Sequence, residues 1–270
     1  MRRLLFLVLL ALTPVGALAS GVEELARLLD VEGLAQALHD EGLQQGAALD
    51  AALLEGQGGA HWAEEVAAIY DADAIARTLH DALASGLTEE EAAAAVAFYD
   101  IPRGRRIVTL ELSARRALSD PDTEAAAQEA WRQLEPRRPV SALVGQVTRY
   151  IEVNDLIELN VQSALIARYA FLSGLADGGG PGVGPDRRLM QVLGQEAATR
   201  AQTRDWLYAY LLMAYGPLSP EELRAYVDFC ETPAGQALNR ALFKGFGAIY
   251  PDISYRLGGR LAAAMGARRL

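Results

Sequence analysis

Residues 87–104 read LTEEEAAAAVAFYDIPRG, and residues 218–235 read LSPEELRAYVDFCETPAG. Eight identities align the two stretches at a constant offset of 131, from Leu87/Leu218 to Gly104/Gly235. Each stretch encodes the same local structure. Thr88 and Glu91 stand three apart, as do Ser219 and Glu222. That spacing is a capping box: the hydroxyl accepts the N3 amide and the carboxylate accepts the N-cap amide. Pro220 falls at the first helical position, where its missing N–H costs nothing. Each helix passes Phe98 or Phe229 and stops before Pro102 or Pro233, because the residue before a proline is driven out of the helical region. Proline can then open the next helix, for which Thr232 is a good cap and Ile101 a poor one. The motif predicts a helical hairpin with a sharp corner.

Gly104 and Gly235 lie in the first turn of the second arm. Glycine costs a helix up to about 1 kcal/mol relative to Ala, so its presence in both stretches predicts arms too close for a side chain. Leucine is expected to cost more at Gly235 than at Gly104, because the second stretch has the more apolar surroundings.

A further match lies upstream. Arg27-Leu28-Leu29-Asp30-Val31 resembles Arg149-Tyr150-Ile151-Glu152-Val153, with Leu34 on Leu156, at an offset of 122. The nine-residue difference between the two offsets is ascribed to the glycine-rich loop Gly178–Gly184, which has no counterpart in the first half. The chain thus reads as two diverged tandem copies of one helical unit, at 20–118 and 140–270, joined by a helical linker at 119–139. Elsewhere apolar residues recur at three- and four-residue spacing, as in Leu25, Leu28, Leu34 and Leu38, and no alternating β-branched run appears. The fold class is all-α, a helical bundle of about ten helices.

Residues 1–19 read as a signal peptide. Arg2 and Arg3 precede the apolar run Leu4–Leu12, Pro14 and Gly16 break it, and Ala17-Leu18-Ala19 suits a signal peptidase. The run is shorter than the roughly 20 residues that span a bilayer, and no transmembrane segment is expected in the mature chain. In a Gram-negative bacterium the destination is the periplasm. Acidic residues number 35 against 25 basic, a net charge of −10 that deepens to −12 without Arg2 and Arg3. Such a chain has no electrostatic reason to bind nucleic acid or an anionic membrane. The single cysteine, Cys230, cannot form an internal disulfide, so stability must come from packing.

Leu87, Thr88, Glu90, Glu91, Phe98, Tyr99, Pro102, Gly104 and Arg105 together resemble the signature of the bacterial envelope family called domain of unknown function 2059. Leu218, Ser219, Glu221, Glu222, Phe229, Pro233, Gly235 and Gln236 resemble it a second time, with Cys230 in place of the usual tyrosine. The resemblance covers about twenty residues in each copy. It implies an exported helical protein and brings no catalytic residues with it.

The residues themselves supply no catalytic constellation. The glycine run lacks the spacing and the lysine of a phosphate loop, and no G-x-S-x-G elbow occurs. Of the glutamate pairs at 64/65, 90/91 and 221/222, two are explained by capping. His39, His61 and His80 read as solvated helix faces without the spacing of a metal site, and Cys230 as an inert packing residue. No cofactor is implied. One asymmetry stands out: residues 206–215 are apolar almost all round, whereas the equivalent 75–84 holds Arg77, His80 and Asp81. A helix apolar on every face is buried on every face, either inside the fold or against a partner. A binding groove, if formed, would use Trp206, Tyr208, Tyr210 and Tyr215, since such residues suit interfaces. The expected function is a non-enzymatic binding or interaction module of the cell envelope, its ligand or partner protein unknown. The alternative is an envelope hydrolase or lytic enzyme using acidic residues that the sequence does not single out. Two converging carboxylates would favour the enzyme, and an apolar groove the binder.

Overall fold

The computed structural model describes residues 15–136 and 139–267. The arginines and the apolar run of the expected signal peptide lie outside the described residues. The first six helices are α1 (Val15–Leu28), α2 (Val31–Leu53), α3 (Gly59–Ile69), α4 (Ala72–Gly86), α5 (Glu89–Tyr99) and α6 (Pro102–Ala117). A seventh, α7 (Pro121–Leu134), lies within the expected linker. The last six are α8 (Ala142–Val153), α9 (Leu156–Asp177), α10 (Pro185–Leu193), α11 (Glu196–Tyr215), α12 (Pro220–Cys230) and α13 (Pro233–Ala267). Among the described residues thirteen helices form against the ten expected, with short turns at 70–71, 154–155 and 194–195 dividing neighbours.

Both quoted stretches are hairpins. Complete capping boxes start α5 at Thr88 and Glu91 and α12 at Ser219 and Glu222. Thr232 Oγ1 accepts the Gly235 amide at 3.1 Å to cap α13, whereas Ile101 gives α6 no side-chain cap. Pro102 and Pro233 open the second arms. A Cβ on Gly104 would fall on the carbonyl oxygen of Phe98 and lie 2.5 Å from the Tyr99 Cα. On Gly235 it would fall on the Phe229 carbonyl and lie 2.7 Å from the Cys230 Cα. The obstruction in both is the backbone of the hairpin's own first arm. The expected difference between the two glycines therefore loses its basis: apolar surroundings do not enter, and Ala already collides.

The turns before α2 and α9 also correspond. Each has two residues and ends on an aspartate in the left-handed region, φ 51° at Asp30 and 49° at Asp155, which short polar side chains tolerate. These aspartates are 125 positions apart, three more than the offset of the upstream match at 122. The lengths of the two sets differ in several places. The glycine-rich loop 178–184 is longer than 54–58, but α9 and α10 are shorter than α2 and α3. Helix α11 is 20 residues long against 15 for α4, and a longer turn follows it.

Packing within the first six helices sets α1 on α4 and α5, and α2 on α3 and α4. Within the last six it sets α8 on α11 and α12, and α9 on α10 and α11. The closing helix of each set crosses to the other: α6 lies on α11, and α13 on α4. With 35 residues α13 also reaches α3 and α5 and runs along α9. At the centre Phe98 and Phe229, which occupy the same position in the two stretches, stack 4.2 Å apart at 11°. One hydrophobic core runs through both sets, from Val22 to Leu261. Among the described side chains, α1 contributes Val22, Leu25, Ala26 and Leu28 to it, all beyond Ala19.

Candidate functional site

Helix α6 carries the residue around which the site forms. Its buried stripe runs Ile107, Val108, Ala114, and Glu111 stands in that stripe one turn beyond Ile107. Its Oε1 accepts hydrogen bonds from the Tyr215 hydroxyl at 2.6 Å and the Tyr226 hydroxyl at 3.1 Å. Tyr226 also meets the hydroxyls of Tyr150, at 3.2 Å, and Tyr99, at 3.4 Å. Burial pushes the Glu111 carboxyl above its ordinary range, against the two tyrosine hydrogen bonds, which pull it down. Burial, and after it the Glu111 charge, holds Tyr215 and Tyr226 well above the usual phenol range, so both stay protonated as donors.

Glu111 Oε2 accepts no hydrogen bond among the described residues and is open to a cleft of about 210 Å³. The cleft walls are Leu29, Val31 and Leu34 at the α1–α2 corner, Val108 and Leu112 of α6, and Leu242 and Phe246 of α13. Asp30 sits exposed on its rim, held over α2 by the bond its carboxylate accepts from the Gly33 amide. Arg115, one turn beyond Glu111, also faces the cleft. Its Nε and Nη2 each donate to Glu41 at 2.7 Å, a two-pronged pair that fixes the guanidinium. A larger cleft, about 390 Å³, lies between α3 and the end of α13. There Glu65 is paired with Arg260 at 2.8 Å, and the His61 side chain is mostly in solvent.

The four aromatic residues singled out in α11 part company. Tyr215 is fully buried and serves Glu111. Tyr208 is buried, stacked 4.0 Å from Trp131 of α7 and sharing a 3.0 Å hydrogen bond with Thr148. Tyr210 lines the cleft and donates to the Glu111 carbonyl at 3.2 Å, while Trp206 stacks behind it at 5.2 Å. Tyr210 is thus the member of the set that touches the cleft. Two histidines depart from the solvated reading. His39 is half-buried with Nδ1 2.8 Å from the Tyr70 carbonyl, and His80 meets Glu32 at 3.1 Å. Among the described residues no three of His, Cys, Asp and Glu gather as a metal site, and no helix is long and apolar enough to cross a membrane. Cys230 is buried, which pushes its thiol up to about 12.

The reading of the residues missed Glu111. The available signal was an acid in the apolar stripe Ile107, Val108, Glu111, Ala114, Leu118; its donors lie more than a hundred residues away.

The fold and the site define an all-helical protein with a half-buried carboxyl lining an apolar cleft. Residues 73–133, which contain the first hairpin, Glu111 and Arg115, match the family described as an uncharacterized protein conserved in bacteria (DUF2059). That match supports the family resemblance of the first hairpin. No curated protein and no solved structure matches the chain.

Proposed function

We propose that this chain is an exported envelope protein, built from two diverged copies of one six-helix unit, that binds a small ligand without transforming it. The observation that carries the binding reading is the cleft itself: apolar walls from three parts of the chain end on one carboxyl oxygen without a partner. A small number of placed polar groups on apolar walls is the pattern of a ligand pocket. The other carboxylates nearby are engaged, Glu41 by Arg115 and Asp30 as a helix cap. The duplicated reading is supported by the paired capping boxes, the left-handed aspartates and the reciprocal crossing of α6 and α13. Export rests on the grammar of residues 1–19, and cleavage after Ala19 would leave the α1 core residues in place.

The test uses the full-length protein expressed in its bacterial host and recovered from the envelope. Its intact mass should begin at Ser20, and native mass spectrometry should find a small molecule retained by wild type and absent from Leu34→Trp, which fills the cleft from its rim. Residues 1–19 retained would overturn export. Hydrolysis of an envelope polymer that disappears in Glu111→Gln would overturn the binding reading in favour of an enzyme.

A further inference from the structure

Building on the binding reading, we propose that the Glu111 cleft takes a small molecule with an apolar body and a single positive charge, such as a primary alkylamine, whose ammonium group donates to Glu111 Oε2. The charge of the cleft carries the assignment. Three carboxyls stand in or beside it, Glu111 from α6, Asp30 from the α1–α2 corner and Glu41 from α2. One guanidinium faces them, Arg115, and Glu41 already neutralises it through two hydrogen bonds. Tyr210 of α11 directs its hydroxyl to a backbone carbonyl, and α13 presents only Leu242 and Phe246. The group left unsaturated at the floor is an acceptor. Its orientation is set from behind, because Oε1 is held by Tyr215 and Tyr226. An anionic ligand would have Arg115 Nη1 as its donor, with the Glu41 carboxylate beside it cancelling the attraction. An ammonium would meet Oε2 directly while its hydrocarbon covers leucine and phenylalanine. In that low-dielectric setting a charge-assisted hydrogen bond is worth more than in water.

The experiment is calorimetric titration of the full chain with n-hexylamine, n-hexanoate and n-hexanol, three probes of similar length and different charge. Hexylamine should bind about tenfold or more tightly than either of the others. Glu111→Gln keeps an acceptor for the two tyrosines and puts an amide NH2 where Oε2 was. It should weaken hexylamine by about tenfold or more. Leu34→Trp, which leaves Glu111 untouched, should reduce binding of all three. The inference is overturned if hexylamine does not bind, or if Glu111→Gln binds it as well as wild type. Equal or tighter binding of hexanoate or hexanol that Leu34→Trp removes would also overturn it, while leaving the binding reading in place.

Discussion

The two hairpins agree at the corner and diverge at the positions that carry chemistry. Both open with the same capping box, both turn at a proline, and both close on a glycine pressed against the preceding backbone. Seven residues past those glycines the first hairpin has Glu111 and the second has Leu242. Tyr226, which donates to Glu111, stands where the first hairpin has Ala95. The other donor, Tyr215, ends α11, whereas α4 ends Leu83-Ala84-Ser85-Gly86. The acceptor thus comes from one half of the chain and its donors from the other. Neither hairpin holds the cluster by itself, and the crossing of α6 onto α11 is what assembles it.

The largest effect should test what the hairpins share. Gly104→Leu and Gly235→Leu should each destabilise by about 3 kcal/mol or more, the upper end of overpacking costs. The two losses should be equal in urea denaturation, because backbone blocks both. A markedly larger loss at Gly235 would show that the apolar surroundings decide after all.

Next comes what they do not share. Tyr215→Phe removes the shorter bond to a half-buried carboxyl and should cost about 1–3 kcal/mol. Tyr226→Phe should cost less, since its bond to Glu111 is longer. Adding Glu111→Leu to both should restore most of the loss, because replacing all partners by apolar groups strands none of them. A triple variant no more stable than the double one would mean that the cluster is not a coupled unit.

A pH series isolates Glu111. Its folded carboxyl lies above the ordinary value of 4.5, so the folded state binds its proton more readily than the unfolded chain does. The resulting stability is fully present below 4.5 and is lost as the pH rises through the raised value. Wild type should therefore lose ground to Glu111→Gln as pH rises through that window, by no more than about 1.4 kcal/mol per pH unit. Parallel melting temperatures across the range would place the carboxyl in water.

The smallest effect returns to the shared corner. Thr88→Ala and Ser219→Ala should each cost about 1 kcal/mol. Ser219→Ala should be somewhat worse, because Glu222 of that box also holds Arg106 of α6 at 3.0 Å. Identical melting temperatures for the two variants would show that this link between hairpins adds nothing.

Much of the fold was legible because its causes are local. Thr88, Glu91, Ser219, Glu222, Pro102 and Pro233 act on atoms within a few residues, so spacing alone predicts their bonds and breaks. The left-handed corners at Asp30 and Asp155 were not legible. In α11, the all-round apolar surface allowed burial inside the fold or against a partner; Tyr208 and Tyr215 lie inside the fold, under α7 and α6, and Tyr210 lines the cleft. Glu111 escaped because a glutamate in a helix ordinarily faces water, and nothing within α6 reveals that two hydroxyls wait on the far side of the core.

By itself, then, the sequence determined the helices, their caps, the two sharp corners and the glycines that close them, since each depends on sterics and hydrogen bonds inside a short segment. Tertiary structure alone decided which helix faces meet, that α6 and α13 cross between the halves, and that a carboxyl at 111 shares its proton balance with tyrosines at 215 and 226. The physical reason is range. A cap is satisfied within one turn, whereas burial of a charge and the closing of a cleft depend on every element packed around them.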